Sequence, residues 1–140
     1  MTSEGVALAA TVILLFPMGY FLLASPAFLL VKLDIPEVAQ LLRGMFKVQF
    51  VMVIIAGTIG TVVFALTGRW LFAVGVALIT AIAFWGRGRF LQAWDARQSA
   101  KDAGDAHAVR ELRRLHWGGM LSNAVVLAAV VASIPYIASR

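Results

Sequence analysis

The polar side chains of this chain that could do chemistry gather at four places. Arg113, Arg114 and His116 lead into an apolar run through Trp117, Gly118 and Gly119, with Ser122 and Asn123 a turn further on. Arg43, Lys47 and Gln49 stand at the head of another apolar run. Arg87 and Arg89 stand at the foot of a third, and Ser25 with Pro26 lies late in the first. An imidazole can carry a proton or bind a metal. Amides can join helices inside lipid, and guanidinium groups can seat an anion. His116 and Asn123 are seven residues apart, so they share a helix face with Gly119 and Met120. Ser25, Pro26, Arg43, Gln49, Arg87, Arg89, His116, Ser122 and Asn123 therefore form a candidate ligand or packing layer. One account makes it architecture, with arginines reaching to headgroups and Asn123 bridging helices. The other makes it a pocket for an anionic headgroup, a quinone-like molecule or another amphiphile.

Other chemistries find no residues. The sequence has no glycine-rich phosphate loop and no His-Glu-x-x-His pair, and its apolar runs hold no Asp or Glu. An acidic residue at membrane depth is the usual mark of a proton or cation pathway, so coupled transport is disfavoured. The chain has no cysteine, which excludes disulfides and thiolate ligation. Its two histidines, His107 and His116, do not supply facing axial ligands for haem within one copy, and a metal site fails on ligand count. No cofactor and no metal is expected. The one catalytic alternative is His116 as general base in a cofactor-free, oxygenase-like membrane enzyme.

The elements that must position these residues are membrane helices. Of 140 residues, 61% are hydrophobic and 14% charged, with a mean hydropathy of +0.89. Soluble domains carry about a quarter charged residues, so lipid is the solvent this surface requires. The pattern predicts a single all-α domain of four spans, at about 5–31, 48–67, 70–86 and 116–137. A helical hairpin outside the membrane is expected at about 87–115. The N-terminus lacks the basic region of a cleavable signal, so the first helix should be retained. Pro17 and Pro26 should kink the first span. Pro36 suits the first turn of a helix capped by Asp34 or Ile35. Glu37–Lys47 is amphipathic and should lie at the membrane interface before the second span begins. Thr67-Gly68-Arg69 makes a tight turn, Gly104 a break, and Asp105 a helix cap. Gly57, Gly60, Gly118 and Gly119 are expected at close helix contacts, within one chain or between copies.

The net charge is +5, yet ten of the twelve Lys and Arg residues fall in the first and third connections. That asymmetry is a topology signal and argues against nucleic acid. It puts both termini outside and the hairpin in the cytoplasm, in a membrane expected to be a bacterial inner membrane. The expected partners are membrane lipids, a second copy, or a partner membrane subunit.

Several short motifs carry a resemblance. They are Gly19-Tyr20-Phe21-Leu22-Leu23-Ala24-Ser25-Pro26-Ala27-Phe28, Gly44-Met45-Phe46-Lys47-Val48-Gln49-Phe50, Leu115-His116, and Leu121-Ser122-Asn123. Together they resemble the transmembrane protein 205-like family, which implies a four-helix membrane domain without a settled enzymatic activity. The chain departs from that pattern at Lys47 and at Gly86-Arg87-Gly88. A weaker similarity, through the Arg-Leu-His opening of the last helix, is to the anthrone oxygenase-like four-helix membrane proteins.

Overall fold

Thr2 starts the first helix: its hydroxyl accepts from the Gly5 N–H at 3.2 Å, satisfying one of the free donors of the first turn. In the computed structural model, which describes residues 2–26 and 32–139, four helices follow. They are α1 (Ser3–Ala24), α2 (Pro36–Leu66), α3 (Trp70–Asp102) and α4 (Ala108–Ala138). Even the shortest, with 22 residues, is about 33 Å long at roughly 1.5 Å per residue, enough to cross a bilayer core. Each helix packs against its sequence neighbours, and α1 also packs against α4, which closes a four-helix bundle.

The helix ends follow local chemistry. Ile35 precedes α2 and Pro36 opens it, where a missing N–H costs nothing. Gly68 turns the chain between α2 and α3 at φ +73°, and Gly104 between α3 and α4 at φ +95°, conformations that a side chain would strain.

Three boundaries differ from expectation. The α-helix of the first span stops at Ala24 and tightens to a 3₁₀ turn at Ser25 and Pro26, since Pro26 has no N–H to give the carbonyl one turn back. The rest of that expected span, residues 27–31, lies outside the described residues. The amphipathic 37–47 segment and the second span, expected to begin at about 48, form one unbroken helix, α2. The residue preceding α4 is His107, not Asp105; Asp105 contributes by accepting the His107 N–H at 2.8 Å.

The outer faces are apolar. Leu23, Leu66 and Leu71 are 84%, 83% and 82% exposed, and Phe16, Leu78, Ile82 and Val125 are exposed beside them. In water each such leucine would forgo about 2 kcal/mol of burial; in lipid it loses nothing. Five hydroxyls within the helices are satisfied locally. Thr11, Thr58, Thr61, Thr80 and Ser133 each donate to the carbonyl four residues back.

The core has two layers. Near the Gly68 turn it is built from small and branched residues such as Ala7, Leu14, Ala56, Val76 and Val130. Toward the Gly104 turn it becomes aromatic, with Phe21, Phe46 and Trp94 beside Leu42 and Leu112. At the small-residue end Arg69 is buried, and its guanidinium donates to the Ile137 carbonyl. That contact fastens the α2–α3 turn to the C-terminal end of α4, where the helix dipole favours a cation. At the other end the Lys101 ammonium donates to the Leu33 carbonyl at 3.3 Å, drawing the end of α3 onto the α1–α2 connection.

Candidate functional site

The two core layers meet at a polar seam made by three helices. Asn123 on α4 donates to the Met18 carbonyl on α1 at 3.0 Å and accepts from the Gln49 amide on α2, also at 3.0 Å. One amide thus ties together three helices. About two turns earlier on α4, His116 is fully enclosed at 1% exposure. Its Nε2 shares a 3.4 Å hydrogen bond with the hydroxyl of Ser25, the residue that ends α1. The hydroxyl donates when the imidazole proton sits on Nδ1 and accepts when it sits on Nε2. His116 Nδ1 and Trp94 Nε1 are buried and have no hydrogen-bond partner among the described residues.

Phe46 organises the space between these groups. Its ring meets His116 edge-on with centroids 5.5 Å apart, and it also contacts Phe21, Phe90 and Trp94 at 5.0, 4.6 and 5.8 Å. It can approach α4 because Gly119 has no side chain. A methyl group there would stand 2.9 Å from Phe46 Cζ and closer still to Cε1. Gly119 is therefore at a close contact between α2 and α4. Gly57 and Gly60 are as well, but against α3 of the same chain, facing Thr80 and Val76. Both are buried. Gly118 differs: a Cβ added there would meet nothing within 4 Å.

That open space belongs to a cavity of about 600 Å³. Met18, Phe46, Val53 and Ala83 form its buried walls, with Gln49, Phe50 and Asn123 half-buried beside them. Its exposed members are Ile82 on α3 and Glu111, Arg114, Gly118 and Ser122 on α4. The cavity therefore opens sideways, between α3 and α4. Its volume lies within the roughly 300–1,000 Å³ usual for small-molecule sites. One end is apolar, at Val53, Ile79 and Val126; the other carries Arg97, Glu111 and Arg114.

The expected layer is thus divided. Gln49, Ser122 and Asn123 line the cavity. Ser25 and His116 form a buried pair that is not part of its lining. Pro26 is exposed in the turn that ends α1. Arg43 lies outside the cavity and holds Asp95 with two hydrogen bonds, one of 2.8 Å. Those bonds keep the Asp95 carboxyl, on the part of α3 beyond its apolar span, below its ordinary range. Arg87 and Arg89 neither line the cavity nor form an ion pair or hydrogen bond among the described residues. His107 is exposed, and its Nδ1 accepts from Arg110 at 2.6 Å.

Arg97 and Glu111, expected in the hairpin outside the membrane, also line the cavity, together with Arg114. Their signal is spacing: Glu111, Arg114, Leu115, Gly118, Ser122 and Val126 fall at i, i+3, i+4, i+7, i+11 and i+15 and mark one face of α4.

Fold and composition together define a four-span membrane protein: an all-α bundle of four helices, each long and apolar enough to cross a membrane. Compared with protein families, with characterised proteins and with solved structures, the chain matches none. Side chains from separate helices meet at this level of the bundle. Ser25 meets His116, Gln49 meets Asn123, and Phe46 packs against His116.

Proposed function

We propose that this protein is a non-enzymatic membrane protein that binds a lipid-like amphiphile, taken up sideways from the bilayer between α3 and α4. The observation that carries this reading is the cavity itself, apolar along most of its length and polar at one end and on its floor. An amphiphile needs both surfaces. A lateral mouth suits a ligand that is dissolved in lipid rather than in water. The Gln49–Asn123 pair supplies fixed donors and acceptors within an apolar wall, the usual arrangement for orienting a ligand.

Gly118 provides the test, because it lines the cavity and a Cβ there would meet nothing within 4 Å. Gly118→Trp should leave the protein folded and abolish co-purification of lipid-like molecules, read by native mass spectrometry after gentle extraction. Unchanged co-purification from a folded Gly118→Trp protein would remove the cavity from consideration.

The same proposal places the Gly104 hairpin and the charged end of the cavity on the cytoplasmic side, supported by the ten-to-two distribution of Lys and Arg. Alkaline phosphatase fused after Ser139 should then be active in bacterial cells, and a fusion within the Gly104 turn inactive. The reverse pattern would overturn the orientation.

A further inference from the structure

We infer that the ligand is a long-chain carboxylic acid, held with its carboxylate at Arg114 and its chain running toward Val126. This rests on the amphiphile reading above and adds the head group, the direction and the residue that selects it.

Charge decides the head group. Arg97, Glu111 and Arg114 stand at one end of the cavity, and the other lining residues are uncharged. Arg97 Nε is engaged with a Glu111 carboxylate oxygen at 3.3 Å, so those two charges offset each other. Arg114 makes no ion pair or hydrogen bond among the described residues. One net positive charge is left at the mouth, which complements a monoanion. Its planar fork of donors matches a carboxylate in two parallel hydrogen bonds. A neutral head group would leave that charge unanswered, and a dianion would exceed it.

Shape decides the direction. The lining of α4 extends from Glu111 to Val126, about 22 Å at roughly 1.5 Å per residue. It is a long and narrow path whose charge lies at one end. Gly118 leaves the middle of that path clear on the α4 side. Phe50, Val53, Ile79 and Val126 close the far end with apolar groups. An extended chain entering between α3 and α4 meets mainly hydrocarbon, passing the Gln49–Asn123 amides and Ser122, and its carboxylate comes to rest at the charged end.

The test uses full-length protein in nanodiscs of neutral phosphatidylcholine, with labelled oleate and labelled oleyl alcohol as probes. Oleate should bind about tenfold more tightly than the alcohol at neutral pH, the scale of a charge-assisted hydrogen-bonded pair. Arg114→Gln should erase that preference, and Arg114→Lys should keep part of it. Because Arg114 is exposed, neither change threatens folding. Equal binding of the two probes, or an Arg114→Gln effect equal on both, would overturn the carboxylate assignment and leave the amphiphile reading intact. Tighter binding of oleoyl lysophosphatidate than of oleate would replace the carboxylate with a phosphate and overturn it as well. If neither probe binds, or if Gly118→Trp displaces neither, the amphiphile reading fails and this inference fails with it.

Discussion

Phe46→Ala should destabilise the bundle by about 3–5 kcal/mol, the cost of removing a fully buried aromatic ring from a packed core. Phe46 is 2% exposed and its ring stands among Phe21, Phe90, Trp94 and His116. Truncation loses both the transfer term and the edge-to-face contacts, each worth roughly 0.5–1.5 kcal/mol. The effect should appear as a lower unfolding midpoint in a denaturing-detergent titration followed by tryptophan fluorescence, since Trp94 lies in the same ring cluster. Gly119→Val approaches the same contact from the other side. Its added methyls overlap the Phe46 ring, and overpacking of this kind costs roughly 1–3 kcal/mol. The double variant Phe46→Ala/Gly119→Val should be more stable than the sum of the single changes predicts, because the new methyls occupy the vacated space. Strict additivity would mean that the Phe46–Gly119 contact does not hold α2 against α4.

Asn123→Leu should cost about 1–2 kcal/mol, near the upper end for a hydrogen-bonded polar residue between membrane helices. The substitution keeps approximate volume and removes two hydrogen bonds at once. It strands the Gln49 amide and withdraws a donor from the Met18 carbonyl. Gln49→Leu should cost less, because Asn123 keeps its bond to Met18. The double variant Gln49→Leu/Asn123→Leu should cost no more than Asn123→Leu alone, since the second change removes the stranded amide. Thermal unfolding of the three proteins in the same detergent measures this. A double variant whose loss equals the sum of the two single losses would show that the amides act independently.

Sequence alone settled the class of molecule. A chain with 61% hydrophobic residues and apolar runs of helix-crossing length has one physical solution, because unpaired backbone groups are too costly in lipid. Local chemistry also placed the two turns, since Gly68 and Gly104 adopt the left-handed region that other residues avoid. It picked out Asn123 and Gln49, because amides inside apolar runs require partners.

The partners themselves were decided by tertiary packing. Spacing along α4 put His116 and Asn123 on one face, but it could not show that His116 is sealed behind Phe46 while Asn123 lines the cavity. That separation depends on where α1 ends and how closely α2 approaches Gly119, distances that involve residues far apart in sequence. The same holds for charge. Arg43, Arg87, Arg89, Arg97 and Arg114 read alike as basic residues near a membrane. Only the packed bundle commits Arg43 to Asp95, sets Arg97 against Glu111, and leaves Arg114 at the mouth of an apolar cavity. Composition fixes which solvent surrounds a helix; the rotation of each helix about its axis fixes which of its side chains share a space, and that rotation is set by contacts with the other three.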